Sequence, residues 1–235
     1  SPLTEHLQSL GIQVSVPQSP ENVKSGIELC IYTAAIAESN PEFQEVKRQG
    51  IPTMSRAELL GRIMKNYKEA INVSGTHGKT TTTSMIGEIL MEAQMDPTIT
   101  VGGMMKDIGG NLRVGKSDVF LAEACEYTNS FLSFFPTIEV VLNIEEDHLD
   151  FFKDINDIRA SFRKFIEKLP ENGILIFNKD IPHAEFFLEN LPGRKIITFG
   201  HNDADYTANF ISYDRFARPS FTLFEKGEDR GKLTL

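Results

Sequence analysis

The stretch Ala70-Ile-Asn-Val-Ser-Gly-Thr-His-Gly-Lys-Thr-Thr-Thr-Thr-Ser84 decides how this chain folds. Ala70–Ser74 is a short apolar strand that runs straight into a glycine-containing loop, and Lys79 opens a helix that reaches about Met91. Strand, glycine loop, Lys-Thr and helix in that order are what a phosphate-binding loop requires. Gly75 and Gly78 let the backbone turn and approach a ligand, while the helix start directs unpaired N–H groups and its positive dipole end at the phosphates. Lys79 adds a point charge near the β and γ phosphates, and the Thr80 hydroxyl suits Mg²⁺. The phosphates of ATP are therefore expected on Gly75, Thr76, His77, Gly78, Lys79, Thr80 and Thr81. The strict Walker spacing fails, because five positions before Gly78 stands Val73 and not glycine. The bland alternative is a glycine turn capping an unrelated helix with an incidental lysine.

Two further segments point to the same end of a sheet. Val119-Phe-Leu-Ala-Glu-Ala-Cys-Glu126 is an apolar strand that delivers Glu123 at its carboxyl end. In open parallel sheets ligands sit outside that end, so Glu123 is expected to face a metal held by Thr80. A carboxylate merely solvated beyond a strand is the alternative. Val140-Val-Leu-Asn-Ile-Glu-Glu-Asp-His-Leu-Asp150 is another buried strand, ending in a polar cluster with His148 among carboxylates. His148 could ligate a second divalent ion, position a phosphate or be structural. Glu145, Glu146 and Asp147 equally fit a solvated turn.

Strand-like and helix-like patterns alternate through most of the chain, which predicts an α/β fold with a parallel sheet and crossover helices. Gly11–Val16 and Glu28–Tyr32 read as strands and Asn40–Gly50 as a helix. Ser55 and Glu58 form a capping box, predicting a helix through about Tyr67. The boundary between an N-terminal part, 1–68, and a nucleotide-binding part, 69–235, falls just before the loop's strand. Strands are predicted at Asp118–Glu123, Ile138–Asn143, Gly173–Phe177 and Lys195–Phe199. From Asp205 the texture changes to alternating runs, Tyr206–Ser212 and Pro219–Phe224, with Lys226–Gly231 as a turn and the chain stopping as a further strand begins. That predicts a terminal antiparallel hairpin.

Composition bounds the function. With 235 residues, 40% hydrophobic and 24% charged, the chain is an ordinary folded protein. A net charge of −9 argues against a nucleic-acid or anionic-membrane partner. No apolar run is long enough to span a membrane, and Ser1-Pro-Leu-Thr-Glu-His6 lacks the pattern of an export signal, so a cytoplasmic protein is expected. Two cysteines, Cys30 and Cys125, are too few for a disulfide scaffold and lack metal-ligand spacing.

Gly75-Thr-His-Gly-Lys-Thr-Thr-Thr-Thr83, Glu123-Ala-Cys-Glu126 and Asn143-Ile-Glu-Glu-Asp-His-Leu-Asp150 together resemble the Mur ligase family, whose own phosphate loop has the shortened form seen here. Tyr32–Glu42 and Ile51–Leu60 resemble that family's UDP-sugar-binding N-terminal domain, so the likeness spans nearly the whole chain. It implies a partial Rossmann-like domain followed by a P-loop domain incomplete at its end, with the family's C-terminal domain absent. It implies ATP-dependent amide formation, in which the muramoyl carboxylate of UDP-N-acetylmuramate becomes an acyl phosphate and the amine of L-alanine displaces phosphate. By the same resemblance Lys79 holds the phosphates, Thr80 and Glu123 the first Mg²⁺, and His148 the second. Thr33 and Asn40, polar loop residues near a strand end, are candidates for the sugar nucleotide. Cys125 stands where many members have Asp. A ligase that attaches a tripeptide to UDP-N-acetylmuramate, and a generic P-loop NTPase, are the alternatives.

Overall fold

The computed structural model describes residues 2–235; Ser1, the first residue of the expected N-terminal part, lies outside them. Contacts divide the chain into two compact units between Leu59 and Leu60.

The first unit comprises α1 (Pro2–Ser9), β1 (Cys30–Tyr32), α2 (Pro41–Arg48), β2 (Thr53–Ser55) and the start of α3 (Arg56–Met64). β1 and β2 pair in parallel, with Ile31 opposite Met54, and α2 is the crossover between them. Asn40 caps α2 by accepting a hydrogen bond from the Phe43 N–H at 3.0 Å. The capping box forms reciprocally: Glu58 accepts from the Ser55 N–H at 2.7 Å and Ser55 Oγ accepts from the Glu58 N–H at 3.2 Å. The expected strand Gly11–Val16 does not form. Residues 12–15 have no pairing partner among the described residues, and Ile12 and Val16 are exposed, so their alternation has no buried face to fix it.

The second unit is a ten-stranded sheet with helices. In chain order it contains β3 (Glu69–Ser74), α4 (Lys79–Glu92), β4 (Thr98–Met105), β5 (Gly110–Arg113), β6 (Val119–Ala124), β7 (Ile138–Val141), α5 (Ile155–Ile166), β8 (Ile174–Asn178), α6 (Ala184–Leu188), β9 (Lys195–Gly200), β10 (Tyr206–Tyr213), β11 (Pro219–Glu225) and β12 (Glu228–Thr234). The strand order is β12-β11-β10-β9-β8-β7-β3-β6-β4-β5. From β10 to β4 every pairing is parallel, and antiparallel strands close both edges. The α/β expectation therefore holds, including the terminal antiparallel strands. The end of the chain differs in detail, because the turn is only Lys226-Gly227, both at positive φ, and the residues read as turn already belong to β12. Two left-handed residues are what a tight hairpin with the strands' own twist demands.

Period-2 alternation sorts β3 between the two faces of the sheet. Val73 joins Ile99, Val101, Met105, Leu121 and Val140 in a buried cluster, with Ile86, Leu90 and Met91 of α4 packed on it. That packing fixes the start of α4 against the strand ends. Asn72 and Ser74 point to the opposite face, as does Glu139, which pairs in register with Asn72. Glu139 is fully buried, and neither its carboxyl oxygens nor Asn72 Oδ1 has a hydrogen-bond partner. Burial pushes the Glu139 carboxyl well above the usual range; the nearby Ser74 hydroxyl, which donates to the Val140 carbonyl, offsets this only in part.

Two outcomes follow for stability. A folded-state pKa above the unfolded one means that Glu139 contributes fully below pH 4.5 and loses that contribution as pH rises through its folded value. Glu139→Gln removes this loss, so its stability relative to the parent should rise by up to about 1.4 kcal/mol per pH unit from pH 4.5 up to the raised folded value and level off beyond it. Urea melts between pH 5 and pH 8 measure it; a constant difference would refute the buried acid. A Cβ on Gly61 would lie 2.0 Å from the Ser133 carbonyl oxygen. Gly61→Ala should therefore cost about 1–3 kcal/mol in the same melts, although alanine is the better helix former by ~1 kcal/mol.

Candidate functional site

β6, β3 and β7 lie side by side with parallel register, Val73 opposite both Glu123 and Val140, so their carboxyl ends open on one edge of the sheet. The three motifs leave the sheet there. Gly75 has φ +140°, and a Cβ on it would meet Leu142 Cβ at 3.0 Å and the Asn143 N at 3.1 Å, so a side chain would both strain the backbone and crowd the neighbouring loop. Gly78, at φ +80°, is the N-cap of α4 and no side chain caps the helix. The first N–H groups of α4 are thus left for an external acceptor.

Asn143 holds the loop in this shape. Its carbonyl accepts from the Thr76 N–H at 3.1 Å, its Oδ1 from the His77 N–H at 2.7 Å, and its Nδ2 donates to the His77 carbonyl at 3.0 Å. The Glu145 N–H donates to Thr76 Oγ1 at 2.9 Å. His77 therefore serves through its backbone, and its ring stays exposed near Glu145.

Lys79 folds back into the loop. Its ammonium donates to the Gly75 carbonyl at 2.5 Å, to the Thr76 carbonyl at 3.0 Å and to Glu126 Oε2 at 3.0 Å. The Glu126 side chain is only 2% exposed and that of Lys79 14%, so this is a buried ion pair. Removing one partner of such a pair costs more than making it gains.

Thr80 and Glu123 each lie against one of the two adjacent glycines of β4. A Cβ on Gly103 would lie 3.2 Å from Thr80 Cγ2, and one on the adjacent Gly102 would lie 2.8 Å from Glu123 Oε2. Glu123 Oε1 accepts from the Gly102 N–H at 2.7 Å, which fixes the carboxylate at the glycine pair. A hydroxyl and one carboxylate oxygen are hard donors of the kind Mg²⁺ takes from a protein, since phosphates and water usually complete its shell. Among the described residues no three His, Cys, Asp or Glu side chains cluster as a metal site. The donor set fits a metal bound jointly with a phosphate ligand and not one held by the protein alone.

His148 lies near Glu126. It has φ +52° and its Nε2 is 4.0 Å from Glu126 Oε1. Its ring stacks on Tyr127 at 4.5 Å, whose hydroxyl donates to Asp150 at 2.8 Å. A chain of contacts thus runs from Lys79 through Glu126 to His148, Tyr127 and Asp150. Between the two glutamates, burial raises the Cys125 thiol, which leaves it a poor nucleophile.

Thr81 sits exposed on the first turn of α4. Thr33 and Asn40 belong to the first unit. Asn40 is the α2 cap, while Thr33 Oγ1 accepts from the Ala35 N–H at 3.3 Å and borders a cleft of about 460 Å³ with Tyr32 and Glu42.

Sequence reasoning missed Glu126, Asn143 and the Gly102-Gly103 pair. Asn143 could have been found, as the first polar residue after an apolar parallel strand. Glu126 could not, because nothing local separates it from a solvated carboxylate until its burial is known.

Comparison with known proteins places this geometry. The Mur ligase middle domain matches residues 73–234, and the Mur ligase family catalytic domain matches residues 1–68. A UDP-N-acetylmuramate--L-alanine ligase of Lachnospira eligens is 55% identical, covering 100% of this chain and 51% of its own length. One of Clostridium botulinum (strain Loch Maree) is 46% identical, covering 97% of this chain and 49% of its own. The crystal structure of UDP-N-acetylmuramate-alanine ligase from Thermotoga maritima superposes with a TM-score of 0.82 at 27% identity, over 99% of this chain and 52% of that one. The UDP-N-acetylmuramate:L-alanyl-gamma-D-glutamyl-meso-diaminopimelate ligase from Neisseria meningitides shares the fold, with a TM-score of 0.86 at 22% identity over 99% of this chain and 75% of that one. The chain spans about half the length of the curated relatives it matches. Matched by the family's domains over nearly all of its residues, the chain belongs to the Mur ligase family.

Proposed function

We propose that this chain carries the nucleotide-binding part of an ATP-dependent ligase that joins L-alanine to UDP-N-acetylmuramate. The observation that carries the proposal is the uncapped start of α4, with Lys79 and Thr80 on it, at the edge of the sheet where β6 delivers Glu123 beside the strand that leads into the loop. The substrate assignment is supported by likeness over nearly all of this chain, and about half of theirs, to proteins named as that ligase, at 55% and 46% identity. The tripeptide-attaching alternative has support from fold alone.

In this reaction the muramoyl carboxylate oxygen takes the γ-phosphoryl group and ADP leaves. The amine of L-alanine then attacks the acyl carbon, expelling inorganic phosphate and releasing a proton. Gly75 to Thr81 hold the phosphates through backbone N–H groups, and Lys79 neutralises charge on the bridging and γ oxygens. Thr80 and Glu123 would hold Mg²⁺ together with the phosphates, and the ion would supply further charge neutralisation there. His148, partnered by Glu126, is placed to serve a second ion or the acyl phosphate oxygens. Thr33 and its cleft in the first unit are assigned to the sugar nucleotide. ATP as co-substrate points to the cytoplasm.

Isothermal titration with Mg-ATP tests the site. The parent chain should bind saturably, and Lys79→Met, shown by circular dichroism to be folded, should bind roughly tenfold or more weakly. Absence of saturable binding by the folded parent, or equal affinity of the variant, would contradict the proposal.

A further inference from the structure

The ammonium of Lys79 has three hydrogens, and the structure accounts for all of them: the Gly75 carbonyl, the Thr76 carbonyl and the Glu126 carboxylate. None is directed out of the loop. Glu126 in turn is almost fully buried, and among the described residues its basic neighbours are Lys79 at 3.0 Å and the His148 imidazole at 4.0 Å. The phosphate loop therefore already contains an anion on the lysine that a nucleotide would have to engage.

This has an electrostatic consequence. A phosphate that draws Lys79 outward strips Glu126 of its nearest counter-charge while the carboxylate stays buried. A phosphate that shares Lys79 with Glu126 brings several negative charges beside one already there. In both cases free nucleotide is disfavoured, and a divalent cation arriving with it relieves the excess negative charge.

We infer that Glu126 is a built-in counter-anion for Lys79, a positioning and selectivity residue that makes the loop accept nucleotide as its metal complex and disfavour the free anion. The inference rests on the loop being a nucleotide site. Glu123, whose carboxylate accepts from the Gly102 N–H, does not compete for Lys79, so the two glutamates divide the labour. Glu123 serves the ligand side and Glu126 the lysine.

The test compares ADP affinity in EDTA with that in excess Mg²⁺ for the parent, Glu126→Gln and Glu126→Asp. Glutamine keeps an acceptor for the Lys79 hydrogen bond and removes the charge. Metal-free ADP should bind Glu126→Gln roughly tenfold more tightly than the parent, while Mg-ADP affinity changes by less than about threefold. Glu126→Asp should retain the parent's ratio. A purely structural role would weaken both forms of ADP alike; that result, or an unchanged ratio in a variant that melts like the parent, overturns the inference.

A second arm is independent of nucleotide. Lys79→Met strands the buried carboxylate and should lower the melting temperature, and adding Glu126→Gln to it should recover more than half of the loss. No recovery overturns the inference. If the folded parent binds ADP neither with nor without Mg²⁺, the nucleotide reading itself fails; if it binds and only the ratio is unmoved, the counter-anion alone fails.

Discussion

Parallel pairing of β3 with β6 on one side and β7 on the other is the constraint from which the site follows. Because all three strands run the same way and in register, their next residues must emerge at one edge: Gly75 after β3, Cys125 and Glu126 after β6, Leu142 and Asn143 after β7. A single antiparallel partner among them would send one motif to the far edge. The apolar packing of α4 on Val73, Leu121 and Val140 then sets the helix start over the opening, so the sheet positions both the charged groups and the uncapped N–H groups.

Two polar devices hold the loop against that frame, and they act differently. Asn143 works by hydrogen bonds to backbone and fixes shape. Glu126 works by charge and fixes where Lys79 points. Both follow strands adjacent to the loop's own, so the loop is shaped by sequence that lies far from it along the chain. On the sheet's other face the buried Asn72 and Glu139 stand opposite each other in register, Asn72 three residues before Gly75.

Much of this was legible in the sequence for identifiable reasons. β3, β6 and β7 are short apolar runs that periodicity separates from helices, and Gly75, Gly78, Lys79 and Thr80 declare themselves by order. The capping box at Ser55 and Glu58 formed as its residues dictate. What was not legible depends on partners. Gly11–Val16 has strand-like alternation without a neighbour to pair with, while β4, broken by Gly102-Gly103, does not read as a strand but is one because β6 lies beside it. Glu123 and Glu126 look alike as letters; burial and the reach of Lys79 tell them apart. His148, grouped with Thr80 and Glu123 by motif, is grouped by geometry with Glu126 and Tyr127.

The central claim, that the loop Gly75–Thr81 receives nucleotide phosphates beside a metal held by Thr80 and Glu123, is tested most directly by crystallising the chain with ADP and Mn²⁺ and measuring anomalous scattering. The account expects the β-phosphate on the N–H groups at the start of α4 and a manganese peak touching Thr80 Oγ1 and Glu123. ADP density elsewhere on the chain, or a manganese peak away from both residues, would contradict it.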